Sequence, residues 1–282
     1  TGSNSSMLSN DLNTLLSGRS LNIQLDTFSF IEFLAYKRID FSTALARISN
    51  KIAIARAKDE YLKWGGFYEV FVIESETTKK ELLISYAKNI IYQDIIPRYG
   101  LRNAEVLERL FFYLLSNVTG LLNYTVLART FDISDKTVKE YINYFEDVFL
   151  LKRIDKHHTK LKERNTSFKK IYARDNGFLQ IAPQHSRNLG TKLENWVFNV
   201  LLQDDGELTY VKDNYEVDFL TAATLYQVSY NIDDEKTRKR ELQAFSYFKT
   251  AQIKNCRLIT YETTAAMDEV EVLSVDDFIF TR

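Results

Sequence analysis

The sequence predicts an α-rich α/β protein with more than one domain, and three observations carry that prediction. Apolar residues recur at helical spacing through much of 29–148. A short helix, a tight turn and a longer helix follow one another over 124–148, a helix-turn-helix spacing. Beyond residue 190, alternating strands are interleaved with helices. A length of 282 residues accommodates one large or two to three smaller domains.

Taken in order, Leu21, Ile23 and Leu25 alternate as a short strand, and 29–36 follow as a helical turn. Residues 51–63 read as a helix stopped by Gly65-Gly66, whose freedom at positive φ suits a helix end. A long helical pattern covers 77–94, closed by Pro97 and Gly100. Leu107, Leu110, Phe111, Leu114 and Leu115 share one helix face. A helix at 124–130 leads through Phe131-Asp132-Ile133-Ser134 to a second at 135–148, which Ser134 or Asp135 can cap. Val138, Tyr141, Ile142 and Phe145 form its buried face. Strand-like segments at 149–154 and 168–173 complete the outline of a winged helix. The last third reads as a helix at 191–202, strands at 208–212, 216–221 and 225–230, a charged helix at 235–250, and a strand at 257–261. Boundaries fall near 85–100 and 176–190, giving segments 1–84, 85–176 and 177–282.

Composition excludes several functions. Gly-Lys occurs nowhere, so the chain holds no phosphate-binding P-loop, and no G-x-G-x-x-G fingerprint is present. Cys256 is the single cysteine, which rules out an intrachain disulfide and a thiolate zinc cage and points to a reducing, cytoplasmic compartment. His157, His158 and His185 show no H-E-x-x-H spacing. The longest uncharged run, 110–128, carries too many polar residues to make a good membrane span, and the first residues, with neither a basic nor an apolar region, do not read as a signal peptide. A start at Thr1 in place of Met points to a trimmed, cleaved or tagged chain.

Motifs in register along nearly the whole chain resemble a group of bacterial and archaeal ATPases of the AAA superfamily. These are Thr-Gly-Ser-Asn (1–4), Ser-Gly-Arg (17–19), Phe-Ser-Phe-Ile-Glu-Phe-Leu (28–34) and Tyr-Leu-Lys-Trp-Gly-Gly-Phe (61–67). Ile-Ser-Asp-Lys-Thr-Val-Lys-Glu-Tyr (133–141), Lys-Ile-Tyr-Ala-Arg-Asp-Asn-Gly (170–177), Leu-Glu-Asn (193–195), Glu-Val-Asp-Phe (216–219) and Arg-Glu (240–241) continue the series. The resemblance implies three parts: the end of an ATPase core with its helical lid, a winged helix, and a restriction-endonuclease-like (PD-(D/E)XK-like) mixed-sheet domain. It places Ser3 and Asn4 at a polar sensor position and Arg19 within reach of a phosphate. ATP and Mg²⁺ are then cofactors of a longer parent protein, with none expected for this chain alone. Its partners would be DNA and the N-terminal half of the ATPase or another subunit, with a homo-oligomer left open and no membrane.

Two sites follow. On the 135–148 helix, Lys136 and Lys139 suit phosphates, while Thr137 and Asn143 suit base edges. The stretch 151–174 carries nine cations against Asp155 and Glu163, a local +7 on a chain of net charge −1. Lys152, Arg153, Lys160, Lys162, Lys169 and Lys170 are its expected phosphate partners. In the nuclease-like part, the resemblance implies a metal site in which Glu194 and Asp218 are ligands and Gln227 is a third member. Ser229 stands where the catalytic lysine belongs, so an inert or nucleic-acid-binding relic is expected, with Glu194 and Asp218 paired to Arg240. The alternatives are a non-enzymatic protein-interaction module and a Mg²⁺-dependent nuclease.

Overall fold

The computed structural model describes residues 24–183, 188–204, 207–250, 253, 255–267 and 269–282. Ser3, Asn4, Arg19, Leu21, Ile23 and His185 lie outside the described residues. Leu25, expected in a strand, lies in none and is exposed. The chain is a mixed α/β protein of two compact units, each discontinuous in sequence. The first comprises 24–117, 123–152 and 173–183, and the second 118–122, 153–172 and the described residues from 188 onward.

The first unit is helical. α1 (Phe30–Tyr36) starts at Ser29, whose hydroxyl accepts the Glu32 N–H while the Glu32 carboxylate accepts the Ser29 N–H at 2.7 Å. α2 (Ala44–Ser49) and α3 (Lys51–Trp64) follow, and α3 ends at Gly65 with φ 71°. α4 (Tyr68–Val72) precedes α5 (Glu76–Asn89), which runs through a wide π turn at 90–95 into α6 (Ile96–Tyr99) and stops at left-handed Gly100. Pro97 therefore does not close the helix. The wide turn restarts the hydrogen-bond ladder, and Pro97 falls in a first turn, where its missing N–H leaves nothing unsatisfied.

α7 (Ala104–Ser116), α8 (Tyr124–Phe131) and α9 (Asp135–Asp147) form the helix-turn-helix group. The turn closes on left-handed Asp132 (φ 52°), and the Ser134 hydroxyl accepts the Thr137 N–H at 3.0 Å. Thr125 Oγ1 donates to Asp135 Oδ2 at 3.0 Å, joining the starts of the two helices. Val138, Tyr141, Ile142 and Phe145 are buried, and Phe145 packs 5.5 Å from Phe111 of α7.

The second unit is built on one sheet. β1 (Leu151–Lys156), α10 (Leu161–Thr166) and β2 (Lys170–Ala173) come first, with a short 3₁₀ turn at Asn176–Gln180 beyond them in the first unit. α11 (Leu189–Leu201), β3 (Thr209–Lys212), β4 (Glu216–Thr221), β5 (Thr224–Val228) and α12 (Glu235–Phe248) come next. β6 (Asn255–Thr260), β7 (Ala265–Met267), β8 (Val270–Ser274) and α13 (Val275–Phe280) close the chain; the last three elements lie beyond those that the sequence pattern predicts. The strand order is β2-β1-β3-β4-β5-β6-β8-β7. β3, β4 and β5 run antiparallel, whereas β5, β6 and β8 are parallel.

The two strands expected as a wing hairpin are thus consecutive members of this sheet. Edge strand β2 is covered by the 118–122 segment, where Thr119 N–H donates to Ile171 O at 2.7 Å and Leu122 N–H to Lys169 O at 2.8 Å. Val217, Leu225, Leu258 and Val272 of the sheet pack in one cluster with Ala244 and Phe245 of α12. Phe198 of α11 stacks on Tyr172 of β2 at 4.3 Å.

Candidate functional site

Strand β2 brings Lys170 and Tyr172 to one side because strand side chains alternate, and both are buried. The same period places Glu216 and Asp218 together on β4, while α11 supplies Glu194. All four charged groups meet. Lys170 Nζ lies 2.7 Å from Glu216 Oε1, 3.1 Å from Asp218 Oδ1 and 3.3 Å from Glu194 Oε1. An ammonium has three N–H donors, and here it has three carboxylate partners. Tyr172 donates its hydroxyl to Glu194 Oε1 at 2.9 Å, and Lys212 also pairs with Glu216. Asp218 Oδ2 accepts the Val228 N–H at 3.0 Å, and Gln227 Oε1 accepts the Asp218 N–H at 3.1 Å.

The electrostatics follow from burial. Burial and then the Asp218 charge push the Glu194 carboxyl up to about 8, against the pull of Lys170. Burial acts in the same direction on Glu216, but Lys170 and Lys212 hold it below the ordinary carboxylate range. Burial opposes the Lys170 charge, yet its acidic neighbours keep the ammonium protonated well above its usual range.

This arrangement corrects three expectations. Lys170, counted among the phosphate-facing cations, is 3% exposed and sits among Glu194, Glu216 and Asp218. Arg240 pairs with Glu241 of its own helix; the cation bridging Glu194 and Asp218 is Lys170. Glu194 and Asp218, expected as metal ligands, do not fit a divalent ion while the ammonium stands between them. Among the described residues, no three His, Cys, Asp or Glu are arranged to hold a metal. Gln227 does belong to the site, through its bond to the Asp218 backbone. Ser229 donates to Asn231 O at 2.8 Å instead.

The other expected residues are placed less uniformly. On α9, Lys136, Lys139 and Asn143 are exposed and Thr137 is half-buried. Lys136 lies 3.8 Å from Glu140, and Lys139 sits over the Tyr124 ring at 5.2 Å. In the basic stretch, Lys160 and Lys162 are exposed, while Lys152 and Arg153 are half-buried. Lys169 is drawn down onto Asp155, which also takes Arg164 at 2.7 Å, so much of the local charge is compensated.

A second constellation, which the sequence shows only as separate motifs, joins three distant segments of the first unit. Asp175 Oδ2 accepts Thr27 Oγ1 at 2.7 Å and Gly66 N–H at 2.8 Å, while Oδ1 accepts Gly177 N–H at 2.7 Å. Asn176 Nδ2 donates to Leu62 O at 3.1 Å, and Arg174 pairs with Asp26. A Cβ on Gly177 would lie 2.6 Å from Trp64 O, and one on Gly65 would overlap the Asp175 carboxylate. Burial pushes Asp175 up to about 6, even though all three donors pull it down. The Trp-Gly-Gly and Arg-Asp-Asn-Gly motifs are the two halves of one hydrogen-bonded knot.

Residues 56–189 match the model of a family described as a domain of unknown function (DUF8612). An uncharacterized protein of Methanocaldococcus jannaschii is 32% identical over 293 aligned positions, covering 98% of this chain and 64% of the relative. An uncharacterized protein of Haemophilus influenzae is 29% identical over 294 positions, covering 99% of this chain and 70% of the relative. No solved structure matches the chain. The chain is thus similar over nearly its whole length to archaeal and bacterial proteins, and it spans about two thirds of the length of each.

Proposed function

We propose that this chain is the C-terminal part of a DNA-associated, cytoplasmic AAA-family ATPase, in which the α8–α9 helix-turn-helix binds duplex DNA and the nuclease-like centre is non-catalytic. The observation that carries the DNA reading is the outward face of α9, where Lys136, Lys139 and Asn143 are exposed beside a fully packed opposite face. Cations on such a face engage phosphates, and Thr137 and Asn143 have the hydrogen-bonding groups to read base edges. The parent's ATP chemistry would need a phosphate loop that these 282 residues lack.

The test is fluorescence anisotropy with a duplex of about 20 base pairs at low and moderate salt, the range over which phosphate binding weakens. Affinity is expected to fall as salt rises, and Lys136→Ala with Lys139→Ala to reduce the salt slope by roughly one for each phosphate no longer neutralised. Salt-independent or absent binding overturns the DNA reading in favour of a protein-interaction module. The inert reading of the second unit is supported by Lys170, whose three donors satisfy the carboxylates that a metal would need. Magnesium-dependent cleavage of a plasmid, abolished in Asp218→Ala, would reverse it.

A further inference from the structure

Two exposed faces of the first unit carry opposite charge around apolar centres, and they fit one another. The exposed cations of 41–58 are Lys51 and Arg56, Lys58 being buried, and the exposed acids of 64–78 are Glu69, Glu74 and Glu76, the last paired with Lys63. Within the basic segment, α2 buries none of its side chains. Leu45, Ile48 and Ile52 stand 73%, 72% and 71% exposed at helical spacing, with exposed Lys51 and Arg56 beside them. Three aliphatic side chains this open, two on α2 and one on the first turn of α3, are what a docking surface presents to its partner.

The acidic segment has the complementary build. Tyr68 and Val72 of α4 are 47% and 55% exposed, and the Tyr36 ring meets Tyr68 edge-on at 5.5 Å. Phe71, buried beneath, packs 5.8 Å from Tyr36 and supports the platform. Glu69 and Glu74 rim it in exposed positions. An aliphatic stripe edged by cations and an aromatic platform edged by carboxylates are matched in both apolar character and sign.

We propose that this chain self-associates, with the Leu45–Ile48–Ile52 face of one copy seated on the Tyr36–Tyr68–Val72 face of another. Two different patches meet, so the repeated interface builds a ring or a filament, while a reciprocal pair of the same interface closes a dimer. Like-charged faces repel, which fixes the pairing as basic to acidic.

Sedimentation velocity on the full chain, from about 1 to about 100 µM, tests this over the affinity range of a modest interface. Wild type is expected to associate with concentration and to dissociate as salt rises. Lys51→Glu with Arg56→Glu, and separately Glu69→Lys with Glu74→Lys, should each weaken association at least about tenfold, since like charges then face each other. Mixing the two variants one to one should restore association, because a reversed basic face again meets a reversed acidic one. Ile48→Ser with Ile52→Ser should weaken association without changing its response to salt. A wild-type chain that stays monomeric at about 100 µM overturns the proposal, as do charge variants that associate like wild type or mixtures that fail to re-form the complex. All the charged positions are exposed, and circular dichroism confirms that each variant is folded.

Discussion

Replacing Lys170 with methionine would leave Glu194, Glu216 and Asp218 facing one another without their cation. The expected cost is about 3–5 kcal/mol of stability at pH 8, read from urea unfolding, because removing one partner strands the others in a buried space. Protonation relieves like-charge repulsion, so this deficit should shrink toward pH 5; a pH-independent deficit would mean that only packing was disturbed. Glu194 makes the opposite prediction. Its folded carboxyl titrates at about 8, above its ordinary 4.5, so the folded state holds a proton that the unfolded chain has released. That contribution is complete below about 4.5 and fades as pH rises through about 8. Glu194→Gln, which mimics the protonated acid, should therefore match wild type at about pH 4 and exceed it by a margin that grows as pH rises from about 4.5 to about 8. Equal pH profiles for the two proteins would show that Glu194 is ionised throughout. Glu194, Asp218 and Gln227 of this site were implied by the family resemblance, but the lysine was not. Counting charge over 151–174 treats every cation as solvated, while Lys170 and Tyr172, two residues apart in an apolar strand, share the inward side of β2.

At the level of elements, the helices with a continuous apolar face and a side-chain cap were legible from sequence. α9 begins one residue after Ser134, and its four expected core positions are the four that are buried. The elements that escaped are those whose partners lie far away in sequence or that bury nothing. α2 has no buried face to produce a pattern, and the three-residue β7 exists only by pairing with β8. The Asp175 knot escaped for a related reason: its donors, Thr27 and Gly66, are more than a hundred residues away. Asp175→Asn should cost about 2–4 kcal/mol in urea unfolding, since an amide directs N–H groups at donors that need an acceptor. Gly65→Ala should cost at least as much, through positive φ and overlap with the Asp175 carboxylate together. Near-wild-type stability in both variants would show that the knot does not hold these segments. Asp175 is pushed up to about 6 from an ordinary 3.8, so its own contribution to stability declines as pH rises between those values. That window overlaps the lower part of the one set by Glu194 and closes earlier, so above about 6 only the Glu194 contribution still changes with pH.

For the molecule as a whole, the sequence led to three consecutive segments, and the chain instead forms two units that share its middle. Segment 177–282 contains Glu194, Glu216 and Asp218 but not Lys170 or Tyr172, so expressed alone it would carry the carboxylates without their counter-charge. We expect that fragment to show no cooperative thermal transition under conditions where the full 282-residue chain gives one; a sharp transition in the fragment would show that β1 and β2 are dispensable. Self-association through the first unit adds a further expectation, that the melting temperature rises with protein concentration, as linkage requires when only the folded state associates. The shared middle also bears on ancestry. The backbone passes from one unit to the other at 117/118, 122/123, 152/153 and 172/173, and once more between 183 and 188. A gene fusion that adds or removes a module works where one cut separates two self-sufficient pieces, and here a single cut at any of these junctions divides a unit. A fusion or deletion that keeps both units whole must therefore fall outside them, and the archaeal and bacterial relatives, longer themselves, align with 98% and 99% of this chain.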